Sequence, residues 1–304
     1  MPGKFRANRL YADAQRRYPT LAYCGVMAKN RPIKAYNNDA FLNSKDGRTL
    51  RILAEYLEPK SRFERAKVDD TIVFMGSART LSREQAEKKL RDAEQSGGDL
   101  EAARCALHMA GYYEAARELA CRLTQWSMQI DMNERRFVVC TGGGPGIMEA
   151  ANRGAAEAHG MNVGLTISIP IEEFDNQYVT PELAFHFHYF FMRKFWFAYL
   201  AKALVVFPGG FGTLDEMFEI LTLMQTEKLG EKIQIVLYGS EYWDPILNLE
   251  PMAEWGAIAE EDTALIKRAD TPEQAFTLLK DHLAEHHLQK PAPKKTPQLA
   301  RTRS

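Results

Sequence analysis

The chain has 304 residues, 45% of them apolar and 26% charged, which is the composition of an ordinary globular protein. Its 39 basic and 40 acidic residues give a net charge of −1, which argues against a general attraction to nucleic acid or to an anionic membrane. The sequence has no apolar run of membrane-spanning length, no signal-peptide core near its start and no CxxC pair among its four cysteines. We therefore expect a cytoplasmic protein with reduced thiols.

Composition divides the chain into three parts. Residues 1–67 are rich in Arg, Lys, Tyr and Asn, which predicts an N-terminal extension of short helices packed on the main domain. Residues 68–288 alternate short apolar runs with helical runs, which predicts a Rossmann-like α/β domain, a doubly wound parallel sheet with helices on both faces. Residues 289–304 are basic, contain prolines and lack acidic residues, so we expect a disordered tail.

The first predicted strand, at residues 71–75, leads into a turn that contains Ser77 and Arg79. Both residues then lie at the carboxyl edge of the sheet, where Arg79 can meet an anionic ligand. A surface salt bridge is the alternative for Arg79. The charged, Ala-rich residues 82–132 that follow predict a helical insertion of two helices separated at residues 96–98.

Two glycine-rich turns follow the predicted strands at residues 137–140 and 203–207. Glycine backbone between a strand and a helix exposes N–H groups at the positive end of the helix dipole, which favours phosphate. Either turn alone could instead need glycine for a tight connection. Their glycines are Gly142, Gly143 and Gly144 in the first turn and Gly209, Gly210 and Gly212 in the second. Two such turns at one edge of a parallel sheet predict a ligand site.

A further strand is predicted at residues 161–169, and Glu172 lies just beyond it. Its carboxylate could contact a sugar hydroxyl or a base, with a solvated acidic loop as the alternative. The aromatic residues 185–189 come next, and we expect them to line the pocket for the base together with the insertion. His186 and His188 would share one face of an extended segment, but no third ligand has a telling spacing, so we predict no metal site.

Basic residues open the helix that follows, at Arg193 and Lys194. They oppose the helix dipole there, which makes an anionic partner for Arg193 attractive. The second glycine-rich turn leads to Thr213 and Glu216, a spacing that fits a helix capping box. Glu216 would also lie where a bound ribose 5′-phosphate places its sugar. A carboxylate there can stabilise an oxocarbenium-like state or activate water for cleavage of an N-glycosidic bond.

Neither of the common nucleotide signatures is present. The turn at Gly142 lacks the G-x-G-x-x-G register, and the sequence contains no G-x-x-x-x-G-K-[ST]. We therefore expect a mononucleotide bound as a substrate and no cofactor.

Three motifs, taken in order, resemble the LONELY GUY (LOG) family of cytokinin riboside 5′-monophosphate phosphoribohydrolases, many of which carry an old lysine decarboxylase label. Residues 142–149 (GGGPGIME) resemble the first glycine-rich turn of the family. Residues 192–194 (MRK) resemble its basic pair, and residues 208–216 (PGGFGTLDE) its P-G-G-x-G-T-x-x-E motif. The resemblance covers about residues 71–243 and implies hydrolysis of a nucleoside 5′-monophosphate, without metal, by a homodimer or larger homo-oligomer.

The resemblance also implies roles for individual residues. Arg193 and Glu216 correspond to the catalytic pair, and the second glycine-rich turn to the phosphate cradle. Asp215 replaces the Glu that commonly precedes the catalytic Glu, and together with the insertion and the extension this leaves the base undecided. The residues implied in substrate binding are Glu172, Lys194, Gly209, Gly210, Gly212, Thr213, Asp215 and Thr222.

Two functions from different classes remain open. The first is an N-glycosidase that releases a free base and ribose 5-phosphate from a nucleoside 5′-monophosphate such as AMP or a cytokinin riboside monophosphate. The second is a non-catalytic nucleotide-binding or sensor protein on the same fold. A true lysine decarboxylase is a weaker third, because no motif nominates a lysine that would bind pyridoxal.

Overall fold

The computed structural model describes residues 32–130, 135–168, 176–229 and 232–288. The chain separates into two compact units, Met1–Thr49 and Leu50–Ser304. In the described part of the first unit, a 3-10 turn (Ala35–Asn37) precedes the short helix α1 (Asp39–Leu42). The side chain of Asn38 caps α1 by accepting a hydrogen bond from the N–H of Phe41 at 3.2 Å. The predicted disordered tail, residues 289–304, lies outside the described residues.

The second unit contains a sheet of seven parallel strands in the order β4-β3-β2-β1-β5-β6-β7. Its strands are β1 (Thr71–Met75), β2 (Val138–Thr141), β3 (Asn162–Ile167), β4 (Ala184–Phe187), β5 (Ala201–Val206), β6 (Gln234–Tyr238) and β7 (Ile266–Ala269). The central strands β1 and β5 are buried along their whole length, which explains their continuous apolar sequences. The predicted doubly wound sheet is confirmed.

Helices cover both faces of this sheet, as predicted. They are α2 (Arg48–Ala66), α3 (Arg83–Ser96), α4 (Leu100–Met128), α5 (Ile147–Glu157), α6 (Phe190–Leu200), α7 (Phe211–Gln225), α8 (Ser240–Trp243), α9 (Glu250–Glu254) and α10 (Pro272–Leu283). Short 3-10 turns occupy Pro181–Leu183 and Glu260–Leu265, and a π-helical turn occupies Ala284–Leu288. Within the described ranges, no helix is both long and apolar enough to cross a lipid bilayer.

Alternate side chains of β1 supply the two hydrophobic cores of the domain. Val73 and Met75 pack in the core shared with α2, α6 and α7, whereas Ile72 and Phe74 pack in the core shared with α4, α5 and α10. Helix α2 belongs to the first core through Phe63. This helix, the last part of the predicted N-terminal extension, therefore packs on the sheet.

The predicted insertion forms two helices, α3 and α4, as expected. The side chain of Ser82 caps α3 in a capping box, and Gly97 ends it in a left-handed conformation with φ of 70°. Asp99 then caps α4 by accepting a hydrogen bond from the N–H of Ala102 at 2.9 Å. Buried residues of α4, among them Tyr113 and Leu119, pack in the second core, so the insertion forms part of the helical layer of the sheet.

Candidate active site

A cleft of about 660 Å³ opens at the carboxyl ends of β1 and β5. The chain runs outward from β1 through β2, β3 and β4, and then returns to place β5 on the other side of β1. This reversal of strand order is the topological switch point, where open α/β sheets bind ligands. The position of the cleft thus follows from the topology of the sheet.

Backbone hydrogen bonds join the three turns that border this cleft. The N–H of Ser77 donates to the carbonyl of Pro208 at 2.9 Å, and the N–H of Ile147 donates to the carbonyl of Ser77 at 3.1 Å. The turns after β1, β2 and β5 therefore lie at one edge of the sheet, as predicted. Gly146 makes this contact possible, because its φ is 69° and a Cβ would lie 2.2 Å from the carbonyl oxygen of Ser77.

The cleft brings together nine of the fifteen residues that the sequence nominates. Seven further residues line it without having been nominated. The nominated residues are Ser77, Arg79, Gly142, Arg193, Gly209, Gly210, Gly212, Thr213 and Glu216, and the others are Met75, Gly76, Ala78, Met109, Met148 and Tyr242, with Phe211 from the second turn between its glycines.

The glycines of the second turn differ in what surrounds them. A Cβ on Gly209 would lie 2.2 Å from Oγ1 of Thr213, so this position needs glycine for packing. A Cβ on Gly210 or Gly212 would meet nothing within 4 Å, and neither residue has a positive φ. Packing within the described chain therefore does not account for these two glycines. Their bare backbone borders the open cleft instead, which suits close approach by a ligand.

Helix α7 presents its first amide groups at this turn. Its N-terminal residue is Phe211 and its N-cap is Gly210, which offers no side-chain hydrogen bond. The predicted capping box of Thr213 and Glu216 is wrong, because the N-cap is Gly210, three residues before Thr213, and Glu216 bonds to Arg193. The N–H groups in the first turn of a helix have no partner within the helix, so they remain available to an anion.

The side chain of Met148 separates most of the first glycine-rich turn from the cleft. A Cβ on Gly142 would lie 2.8 Å from the Sδ atom of Met148, and one on Gly144 would lie 2.8 Å from its Cε atom. Gly143 is turned toward β3, where a Cβ would meet Thr166 at 2.6 Å. Of the three nominated glycines, Gly142 lines the cleft, and the side chain of Met148 lies across this turn.

Arg193 and Glu216 form an ion pair in the cleft, with 2.9 Å between Nη2 and Oε1. Both side chains are largely buried, at 15% and 13% exposure. The guanidinium also lies near the rings of Phe190 and Phe197, 5.3 and 5.7 Å from their centroids. Its Nε is buried and has no hydrogen-bond partner among the described residues. The guanidinium of Arg193 therefore has at least one N–H donor that its bond with Glu216 does not use.

Burial raises the pKa of Glu216 to about 7, because the charged carboxylate loses its hydration. The positive charge of Arg193 opposes this shift, while the nearby negative charge of Asp215 adds to it. The carboxyl group therefore changes its charge close to neutral pH. Such a perturbed group in a cleft is typical of an acid–base or charge-stabilising role.

Three nominated residues lie away from the lining of the cleft. The ammonium of Lys194 bonds to Asp215 at 2.7 Å and to Glu219 at 3.1 Å. Burial lowers the pKa of Lys194, but these two hydrogen bonds outweigh it and the pKa is raised. Thr222 is exposed, and its hydroxyl donates to the carbonyl of Phe218 at 2.8 Å. Among the described residues, Lys194, Asp215 and Thr222 thus join α6 to α7 or face solvent.

The predicted substrate contact of Glu172 lies outside the described residues. The expectation that residues 185–189 line the pocket is wrong, because Phe185, Phe187 and Tyr189 are buried in the first core. His186 faces out and bonds through its ring nitrogens to Thr166 and Ser168, at 2.9 and 2.7 Å. The described residues contain no cluster of His, Cys, Asp or Glu that could hold a metal ion.

Met109, Met148 and Tyr242 are among the cleft residues that the sequence analysis missed. Met109 lies on α4, Met148 on α5 and Tyr242 on α8, so each comes from a helix that follows a different strand. The family motif includes Met148 but gives it no role. No local pattern marks Met109 or Tyr242, since both depend on how distant segments meet.

Comparisons with known proteins agree with the motifs. The family model described as "Possible lysine decarboxylase" matches residues 148–279. A curated relative, the cytokinin riboside 5′-monophosphate phosphoribohydrolase LOG of Oryza sativa subsp. japonica, is 32% identical over 97 residues. The alignment spans 32% of this chain and 40% of the rice protein.

Solved structures of lower identity are also similar. A molybdenum cofactor binding protein from Rippkaea orientalis is 16% identical with a TM-score of 0.41, over 70% of this chain and 96% of that one. A molybdenum cofactor carrier protein from Chlamydomonas reinhardtii is 19% identical with a TM-score of 0.41, over 71% and 99%. Together, the matched family model and the rice relative confirm the resemblance of this chain to the LONELY GUY family.

Proposed function

We propose that the protein hydrolyses the N-glycosidic bond of a nucleoside 5′-monophosphate and releases a free base and ribose 5-phosphate. One observation carries the proposal: the buried ion pair of Arg193 and Glu216 lies in the same cleft as the open amide groups of Gly210 and Gly212. A site with a cation, a carboxylate and a phosphate-binding turn suits a phosphorylated sugar whose bond breaks with positive charge on the ring.

In this proposal, the first turn of α7 and the guanidinium of Arg79 receive the 5′-phosphate. Arg79 lines the cleft, is exposed and forms no ion pair with any residue in the described ranges. The dipole of α7 adds positive potential at the same place. Neutralising a dianion in this way supports binding of the monophosphate over the uncharged nucleoside.

Glu216 then acts on the sugar. Its carboxylate stabilises the positive charge that develops at C1′, or removes a proton from the water that attacks there. The bond between C1′ and the base breaks and its electron pair leaves with the base, which takes up a proton. The water oxygen bonds to C1′ and the water loses one proton, so that one water is consumed for each base released. Arg193 holds the carboxylate in place and uses its remaining donors on the ligand. The reaction needs the ionised form of Glu216.

The rice relative, by its name, acts on cytokinin riboside 5′-monophosphate, and this supports the reaction class for the present chain. An identity of 32% over 97 residues supports the reaction class but does not identify the base of the substrate. We therefore propose the reaction class and leave open AMP, a pyrimidine nucleotide and a prenylated AMP.

The experiment is to incubate the purified protein with AMP, GMP, CMP, UMP and prenylated AMP and to measure the free base by chromatography. We expect release from at least one of them, and Glu216→Gln should abolish it while ribose 5-phosphate still binds. The matched control is Glu219→Gln on the same helix, where the carboxylate pairs with Lys194 instead of lining the cleft. A wild-type protein that binds these nucleotides and releases no base would be the non-catalytic sensor.

We also propose that the protein is a homodimer or a larger homo-oligomer in the cytoplasm. Phe190 and Phe191 on α6 and Phe211 and Phe218 on α7 are exposed, between 36% and 93%. Exposed aromatic side chains on both helices support a contact between copies. Cys105, Cys121 and Cys140 are free thiols, which suits a reducing compartment. Size-exclusion chromatography with light-scattering detection measures the mass of the protein in solution and so gives its oligomeric state.

A further inference from the structure

Helix α8 is attached to the second glycine-rich turn by two side-chain hydrogen bonds. The hydroxyl of Tyr242 donates to the carbonyl of Gly209 at 2.9 Å, and the indole N–H of Trp243 donates to the carbonyl of Val206 at 3.2 Å. Val206 ends β5, and Gly209 lies inside the turn that follows. Two consecutive residues of α8 therefore hold the backbone on both sides of Pro208.

This helix is itself firmly placed at the edge of the sheet. The N–H of Ser240 donates to a carboxylate oxygen of Asp270 at 2.6 Å, and its hydroxyl donates to the other oxygen at 3.1 Å. The N–H of Gly239 donates to the carbonyl of Ala269, the last residue of β7, at 2.9 Å. Trp243 is fully buried, and its ring packs edge-on against Tyr242. The hydroxyl of Tyr242 is therefore carried by a helix whose position is fixed by several hydrogen bonds.

The carbonyl that Tyr242 holds belongs to the peptide between Gly209 and Gly210. A trans peptide is planar, so its carbonyl and its N–H point in opposite directions. The hydrogen bond from Tyr242 therefore fixes the direction of the N–H of Gly210. A peptide between two glycines can rotate as a unit more readily than others, because no Cβ on either side hinders it. Rotation would replace the N–H of Gly210 with a carbonyl oxygen.

We propose that Tyr242 is a positioning residue: its hydroxyl holds the carbonyl of Gly209 and keeps the N–H of Gly210 available to the phosphoryl group of the ligand. The inference rests on the proposed function only for the class of ligand, a sugar 5-phosphate. A carbonyl oxygen turned toward a phosphate dianion would repel it, whereas an N–H donor attracts it. The site binds phosphate because this one orientation is held before the ligand arrives.

The test compares Tyr242→Phe with Tyr199→Phe and uses ribose 5-phosphate as the probe. Each substitution removes one hydroxyl oxygen from a partly buried tyrosine. Tyr199 packs against Phe195 and Trp196 away from the cleft. We expect the Kd for ribose 5-phosphate to rise about tenfold in Tyr242→Phe, the scale of one lost hydrogen bond, and to stay within about twofold of wild type in Tyr199→Phe.

Two further readouts separate positioning from general damage. The affinity for adenosine, which has no phosphate, should stay unchanged in Tyr242→Phe. In NMR spectra, ribose 5-phosphate should move the amide signal of Gly210 in the wild type and move it much less in the variant. A general loss of structure would weaken both ligands together and lower the melting temperature.

The inference is overturned if Tyr242→Phe binds ribose 5-phosphate as tightly as the wild type, if adenosine binding falls equally, or if the wild type does not bind ribose 5-phosphate. Failure of the proposed function gives a different result. In that case the wild type releases no base from any nucleotide, while the phosphate-specific loss in Tyr242→Phe persists.

Discussion

Arg193 and Glu216, 23 residues apart in the sequence, meet at 2.9 Å in the cleft at the switch point of the sheet. Arg193 lies on α6, just before β5, and Glu216 lies on α7, just after it. The pair therefore joins the two helices that flank one central strand. Because both side chains are largely buried, the positive charge of Arg193 and the negative charge of Glu216 compensate each other in place of water.

The pH dependence of the reaction should report the ionisation of Glu216. Burial raises the pKa of Glu216 to about 7, and the proposed mechanism uses the carboxylate form. We expect kcat/KM to be low at pH 5, to rise tenfold per pH unit below the pKa, and to level off above pH 8. The measurement is base release from the best nucleotide between pH 5 and 9. A rate that falls as pH rises through this range would mean that Glu216 acts in its protonated form.

Replacing Arg193 with Ala should affect both the rate and the ionisation of Glu216. We expect kcat/KM to fall by about 100-fold or more, as when one preorganised charged donor is lost from a site. Because the cation lowers the pKa of Glu216, its removal should raise that pKa above 7. An NMR titration of the Glu216 side-chain carboxyl carbon measures this directly. An unchanged pKa in Arg193→Ala would contradict the electrostatic role of the pair.

The same pKa predicts how stability varies with pH. A folded-state pKa of about 7, above the ordinary glutamate value of 4.5, means that the folded protein binds more protons than the unfolded chain between these values. The contribution of Glu216 to the free energy of unfolding is therefore fully present below pH 4.5 and is lost as pH rises toward 7. The loss relative to Glu216→Gln should reach about 3 kcal/mol at pH 7. Urea denaturation of both proteins at pH 5 and pH 7 measures the difference, and parallel pH curves would contradict the shifted pKa.

The sequence was sufficient to predict the buried strands, the two glycine-rich turns and their common edge, because each is encoded by local residues. The edge strand β7 was missed, since Ile-Lys-Arg-Ala has no apolar run. The capping box at Thr213 was a sound local pattern, but the helix begins earlier, at Phe211, and Glu216 bonds to the distant Arg193.

Adjacent residues on a helix can also serve different purposes. Lys194 follows Arg193 directly, but successive side chains of a helix point about 100° apart. Arg193 therefore enters the cleft while Lys194 reaches Asp215 and Glu219. The position of Tyr242, which bonds to a carbonyl 33 residues earlier, depends on the packing of β6 beside β5 and has no local signal.

Gly210→Ala should weaken phosphate binding without unfolding the protein. A Cβ at this position meets nothing within 4 Å of the chain, and the φ of −98° is open to alanine. The methyl group would extend into the space beside the amide groups, so we expect the Kd for ribose 5-phosphate to rise at least about tenfold with little change in melting temperature. The control is Gly111→Ala, another glycine with open surroundings, inside α4. That change should leave binding intact and stabilise the protein by about 0.5–1 kcal/mol. Equal ligand affinity in Gly210→Ala and the wild type would mean that the phosphate lies elsewhere.

Met109 should influence which base is accepted. It lines the cleft from α4, the second helix of the insertion, and thioether side chains adapt to flat apolar ligands. We expect Met109→Ala to raise KM for the best nucleotide by about fivefold, which corresponds to the loss of ~1 kcal/mol of apolar contact. The order of preference among the bases should also change. Binding of ribose 5-phosphate, which has no base, should stay the same. Met128→Ala is the matched control, because Met128 ends the same helix and is 59% exposed outside the cleft. If both methionine variants keep the wild-type preference among the five nucleotides, the insertion contributes helix packing to this domain and no contact to the base.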